Sequence, residues 1–448
     1  MKFLYVAGSG DVNGEVNRAL FKAVSGQTNS FLYSLVGGMD KKEYKCLAMS
    51  KAAWKIEECQ KIFGEGKVFI DSGGYSIIKG DIPPEEINSV IDLWGYYAEH
   101  QMETVDFLYS LDIPVSLIYD SLNTKDTIYT FNKQSLSILV ELVKKYPQLK
   151  NKIYFVWHFK MHSQYAIWKA LYDELDIKNY VNSRAIGGMV SLRKITGINF
   201  SPFIGMIYRC ILDYLHAGNF DIDFRLHFLG VNNKYDRFQI VFMEKLCEYY
   251  FDHNITAKFS YDSVNYAETI RRKIVDMKDP LPFYSFENNN FEYYETILKV
   301  PDHVIKSVYQ DHDLYTYVIG ERDRIGKKKK GSKQKVLENT NSFVPLNVMS
   351  NMAIDKLFKQ VIDEYELVDI FTKSKSFTTI KNKLRCVLEI VSKAHPTIFT
   401  NNVNNSIIEN FEITHEFHEW FTENQTYDQL DFHMKYFINN IDFPEKLR

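Results

Sequence analysis

Short apolar runs alternate with longer stretches of helical spacing through most of the chain, and this alternation restricts the fold more than any other feature. The runs are FLYSLV (31–36), KVFI (67–70), DFLYSL (106–111), IYFVW (153–157), RAIGG (184–188), RLHFLGV (225–231) and AKFSY (257–261). Between them lie segments such as PEEINSVIDLWGYYAEH and KQSLSILVELVKKY, whose apolar residues recur at three and four positions. Strands that alternate with amphipathic helices build βα units and a parallel sheet. Seven units, with a less regular eighth at LPFYSF (281–286), predict an α/β fold of the (β/α)8 TIM-like type; a doubly wound open sheet is the alternative. The opening MKFLYVA reads as a first strand rather than a signal peptide, because its apolar run stops at Gly8 and the polar Asp11 and Asn13 follow.

A chain of 448 residues exceeds one small domain, and the pattern changes after about residue 300. We expect the barrel over 1–300, a basic linker or loop over 301–340 around GKKKKGSKQK, and a helical C-terminal region over 341–448. Hydrophobic residues at 45% and aromatics at 15% describe a globular chain, not a disordered one. A net charge of -3 gives no overall affinity for polyanions, so any nucleic-acid surface must be local. Cys46, Cys59, Cys210, Cys247 and Cys386 form no CxxC pair, which fits free thiols in a reducing cytoplasm. No apolar segment is long enough to span a bilayer.

In a barrel of this type the chemistry sits where strands end, so the residues that follow each run are the informative ones. They are Asp71, Asp112, His158, Gly187 with Gly188, Gly230 with Asn232, and Asp262. A single aspartate at such a place is commonly a helix N-cap. Four titratable groups at equivalent positions on different strands are harder to explain as four caps. Paired carboxylates at one mouth suit attack at a sugar carbon, one bonding C1′ and the other managing the proton of the leaving base.

The segment DSGGYS, Asp71 to Ser76, is similar to the DSGGF signature of the tRNA-guanine transglycosylase superfamily. SLDIP, YFVWHF, AIGGM, HFLGV and FSYDSVNY follow in the order of that family's further blocks, over roughly residues 30–290. The resemblance implies Asp262 as nucleophile and Asp71 as general acid/base, with Ser72 beside it. It implies Asp112 as reader of the guanine edge, Gly187 and Gly188 as backbone contacts to the base, and His158 in place of the usual glutamine. Gly73 and Gly74 would let the backbone approach a flat base, which must leave its stack to reach the pocket. Tyr75, Trp157 and Phe159 would be either stacking walls or core.

Two departures shift the implied substrate. The family's CxCxxC zinc segment is absent, since no cysteine lies between Cys247 and Cys386, and Ser263-Val264-Asn265-Tyr266 replaces the usual Pro-Thr-Arg. In this the chain resembles the DpdA-type DNA-guanine transglycosylases of phages and bacteria more than the tRNA enzymes. The implied reaction exchanges guanine in DNA for a free 7-deazaguanine such as preQ0, through a covalent aspartyl-deoxyribosyl intermediate, with no metal or other cofactor. Alternatives are the same chemistry on tRNA, a noncatalytic partner subunit, and a glycosylase that removes a base without replacing it. The expected location is the cytoplasm, that of a bacterial host if the gene is a phage's. Lys327, Lys328, Lys329, Lys330, Lys333 and Lys335 read either as a phosphate-tracking loop or as a solvated linker. AGSGDVNG lacks GxGxxG spacing, and His415 and His418 in HEFHEW do not form HExxH.

Overall fold

The structure is a computed structural model that describes residues 1–8, 11–35, 47–64, 66–74, 76, 82–100, 105–113, 125–158, 162–187, 224–231, 234–250, 257–263, 281–326 and 340–373, with isolated positions from 379 to 394. Eight parallel strands close into a barrel in chain order. They are β1 (Lys2–Ala7), β2 (Ser30–Ser34), β3 (Lys67–Asp71), β4 (Phe107–Tyr109), β5 (Ile153–His158), β6 (Ser183–Gly187), β7 (Phe224–Phe228) and β8 (Ala257–Asp262). The closing pair is β1 with β8, which sets Lys2 beside Ser260 and Leu4 beside Asp262. The (β/α)8 expectation therefore holds, and the open sheet does not.

The eighth strand is a correction. LPFYSF is not in the barrel: β9 (Phe283–Glu287) pairs antiparallel with β10 (Asn290–Tyr294), and the N-terminal strand closes the barrel. Asn288 and Asn289 join this hairpin with φ of 51° and 60°. A two-residue turn with both φ values positive matches the twist of paired strands, and asparagine tolerates that geometry.

Residue alternation sorts the strands' side chains into two apolar clusters. Phe69, Phe107, Tyr109, Tyr154, Val156, Leu4, Leu32 and Ala185 fill the barrel interior. Their sequence neighbours Val68, Ile70, Leu108, Phe155, Trp157 and Ile186 face outward into the larger core beneath the helices. Phe69 and Phe107 stack at 4.6 Å, and Tyr109 meets Tyr154 at 5.1 Å. Each such ring stabilises the fold by roughly 1.5–3 kcal/mol on burial. This plug fills the barrel and leaves its C-terminal mouth as the place for polar side chains.

Helices cover the outside: α1 (Glu15–Ser25), α2 (Leu47–Phe63), α3 (Ile87–His100), α4 (Lys125–Lys145), α5 (His162–Glu174) and α6 (Lys234–Tyr250). In α1 the buried Leu20, Phe21 and Val24 follow helical spacing, and Phe21 packs on Phe31 of β2 and Phe63 of α2. From α3, the Trp94 indole N–H donates to the carbonyl of Tyr109 at 3.0 Å and ties that helix to β4.

Within the segment 301–340, residues 302–308 and 312–326 form helices α7 (Asp302–Val308) and α8 (His312–Gly326), and residues 327–339 lie outside the described residues. Beyond it come α9 (Val344–Glu364) and α10 (Leu367–Lys373). α9 opens with Pro345, whose missing N–H is harmless in a first turn. It buries Leu346, Ile354, Leu357, Phe358, Val361 and Ile362 in the same core as the barrel's outer face. At their junction Arg237 of α6 donates to Asp355 of α9 at 2.8 Å, and the Tyr261 hydroxyl of β8 donates to the other carboxylate oxygen at 2.6 Å. Arg237 is fully buried there.

Candidate functional site

Strand alternation places Asp71 and Asp262 on the inward side at the C-terminal ends of β3 and β8, above Phe69 and Ser260. Asp112 follows β4 and is buried. The Asp262 charge acts on Asp71, and the Asp71 charge acts on Asp112. Burial, then the Asp262 charge, pushes Asp71 up to about 6, although hydrogen bonds from the Gly73 and Ser72 amides and the Ser34 hydroxyl pull the other way. Asp112 lies well above the ordinary carboxylate range, through burial first and the Asp71 charge second. The Ser72 hydroxyl donates to Asp112 at 3.2 Å.

The glycines of DSGG have separate causes. Gly73 sits at φ 89°, a left-handed conformation that side chains disfavour. Gly74 lies against Asp112, so a Cβ there would stand 2.6 Å from its carbonyl oxygen and 3.0 Å from its carboxylate. The two glycines thus hold Asp71 and Asp112 in one cluster.

Asp262 is held from the other side. Gly230, at φ 72°, donates its amide to Asp262 at 2.9 Å. His227 of β7 bonds the same oxygen through Nε2 at 3.1 Å, and its Nδ1 meets the Ser260 hydroxyl at 2.9 Å. A carboxylate only accepts, so Nε2 carries the proton of that bond; in the neutral imidazole Nδ1 then accepts from the Ser260 hydroxyl. The order Ser-His-Asp is that of a hydrolase triad, but the depth is reversed. Asp262 is outermost at the strand end, and Ser260 lies two residues deeper. His227 and Ser260 therefore orient Asp262, and Asp262 is the group presented to a substrate.

His227 is the residue sequence reasoning missed. Its signal was present: in RLHFLGV it is the polar residue between outward Leu226 and Phe228, so it must face the barrel interior. Tyr109 was missed for the opposite reason, because an aromatic in an apolar run reads as core. Its ring packs 5.0 Å from that of His227, and its hydroxyl is buried with no hydrogen-bond partner among the described residues. Burial, Tyr154, Asp262 and Asp71, in that order, push this phenol well above its ordinary range. Since an unsatisfied buried hydroxyl opposes folding by about 1–3 kcal/mol, Tyr109→Phe is expected to stabilise the protein by about 1 kcal/mol. A lower urea midpoint for the variant would show that the hydroxyl is satisfied.

The other predicted residues fall as follows. His158 ends β5 in register with Gly187 of β6, so both strand ends reach the same mouth; the His158 side chain lies outside the described residues. Gly188, Tyr75, Phe159, Asn232 and Lys327, Lys328, Lys329, Lys330, Lys333 and Lys335 also lie outside them, as do His415 and His418. Trp157 is not a stacking wall. It faces outward and packs on Phe155 and Tyr172 in the core. Among the described residues no helix is long and apolar enough to cross a membrane.

The fold and mouth define a (β/α)8 barrel whose C-terminal face carries three interacting carboxylates, one of them oriented by a histidine and a backbone amide. No protein-family model matches the chain, and no curated protein matches it.

Proposed function

We propose that the chain is a base-exchanging glycosyltransferase, and specifically a DNA-guanine transglycosylase that inserts a 7-deazaguanine such as preQ0. The observation that carries this reading is the pairing of an oriented carboxylate, Asp262, with a neighbouring carboxyl, Asp71, pushed up to about 6. A group of that kind both gives and takes a proton near neutral pH. In the proposed step an oxygen of Asp262 bonds C1′ as the C1′–N9 bond breaks, and protonated Asp71 gives its proton to the departing guanine. The incoming base then returns a proton to Asp71 and bonds C1′ through its own nitrogen, which releases Asp262.

Asp112, with Ser72 against it, offers a hydrogen-bonding edge to the base, and the missing side chain of Gly74 lets Asp112 lie against the DSGG turn. The sequence similarity to the transglycosylase superfamily at DSGGYS, and the absence of its zinc segment, support the same reading and favour DNA over tRNA.

The test is release of labelled guanine from double-stranded DNA on addition of preQ0, run beside unmodified tRNA. Release from DNA is expected, with a denaturation-stable protein–DNA adduct that Asp262→Ala abolishes. Release from tRNA alone would move the substrate to RNA. An abasic product without base insertion would make the protein a glycosylase, and inertness toward both substrates would favour a noncatalytic subunit.

A further inference from the structure

A second cleft opens at the opposite end of the barrel, where β1 begins and α9 passes beneath it. It encloses about 440 Å³, and its lining includes Lys2, Lys356, Lys359, Gln27, Asn29 and Asp355. That volume falls within the roughly 300–1,000 Å³ of small-ligand sites.

Its chemistry is one-sided. Asp355, the carboxylate in the lining, already accepts from Arg237 on one oxygen and from Tyr261 on the other. Lys359 stands 3.8 Å from Glu244, a carboxylate also bonded by the Met1 amine. Lys2 and Lys356 have no salt bridge among the described residues. The backbone carbonyl of Asn29 accepts the Lys67 amide at 2.8 Å, which ties the lining to the start of β3. The Lys67 ammonium stands 5.5 Å over the Phe107 ring, and Arg225 stands 5.0 Å over the same ring. Lys2 is held below the ordinary lysine range by burial first and by the Lys67 charge second, against a smaller pull from Asp106. Lysines lining one end of a barrel, where the lining carboxylate Asp355 is already engaged by Arg237 and Tyr261, form a site for an anion. Asn29 and Gln27 add amide donors to it, and a phosphate oxygen accepts from both kinds of group.

We infer that this cleft binds a phosphate-bearing ligand between Lys2 and Lys356, at the end of the barrel where β1 begins. The shared chemistry is the phosphate group, supplied either by a free small molecule or by a nucleic-acid backbone. Binding there is separate from base exchange, so it is measured directly and stands or falls without the reading above.

The experiment is calorimetric titration of the full chain with inorganic pyrophosphate, and separately with a short single-stranded oligothymidylate. Pyrophosphate is expected to bind one site per chain, with affinity reduced about tenfold or more by Lys356→Glu, a change at an exposed helix position. Lys2→Gln should weaken it in the same direction, with thermal unfolding confirming that both variants are folded. An oligothymidylate that competes with pyrophosphate and loses affinity in the same variants identifies a backbone phosphate. One that leaves pyrophosphate binding untouched identifies a free phosphate compound. Absence of pyrophosphate binding, or binding indifferent to both substitutions, overturns the inference.

Discussion

Asp71→Asn is expected to make the protein more stable at pH 8 and to leave its stability unchanged near pH 3.5. Asp71 is raised to about 6 in the fold from an ordinary 3.8. Below 3.8 the folded and unfolded chains both hold the proton, and the group contributes nothing. Between 3.8 and 6 the folded chain keeps a proton that the unfolded chain has lost, so stability falls as pH rises. Above 6 the full penalty is present, with a ceiling of about 3 kcal/mol. Asp71 retains some solvent contact, and asparagine accepts fewer of the hydrogen bonds from Gly73, Ser72 and Ser34. Those two effects reduce the expected gain at pH 8 to about 1–2 kcal/mol. Urea unfolding at the two pH values reads it out. A gain of the same size at both would mean that charge is not its source. The variant should lose base exchange by about 10² or more, the scale of removing a general acid. Stability gained as activity is lost is the mark of a carboxyl held in place for chemistry.

Asp355→Ala should have the largest effect on folding of any single change at the junction of α6, α9 and β8. It leaves the Arg237 guanidinium fully buried without its carboxylate, and it removes the carboxylate to which the Tyr261 hydroxyl donates. Breaking a buried ion pair from one side destabilises by about 3–5 kcal/mol. Replacing both members, Arg237→Met with Asp355→Leu, should recover most of that loss, because no charge is then left unpaired. Chemical denaturation of the single and double variants decides it, and a loss below about 1 kcal/mol for the single change would indicate a solvated pair. The consequence reaches the site: Tyr261 precedes Asp262, so the network beyond residue 341 fixes the strand that carries the proposed nucleophile.

The barrel was legible in the sequence because its strands alternate between two apolar environments, and β-branched and aromatic runs mark them. The eighth strand was misplaced because the hairpin at 283–294 is as apolar as a barrel strand, and only pairing partners tell the two apart. At the mouth, Asp71, Asp112 and Asp262 were readable from position alone, since each follows an apolar run. His227 was hidden one residue before its strand's end, where polarity in an inward register was the only sign. Tyr109 was beyond reach, because nothing in FLYSL distinguishes a packed phenol from one facing acids. The union of α9 with the barrel was also hidden, for helical periodicity shows that a face is apolar without showing what covers it.

Closure of the barrel through β1 and β8 has a consequence for the timing of synthesis. At roughly 5–20 residues per second, β8 leaves the ribosome about 13–50 s after β1. Throughout that interval β1, with the sequence KFLYVA, has one edge unpaired. An open apolar edge invites other chains, and long-range pairing of this kind forms slowly. Nascent chains that end before Asp262 should therefore be the aggregation-prone species, and the carboxylate cluster comes into being only with the last strand.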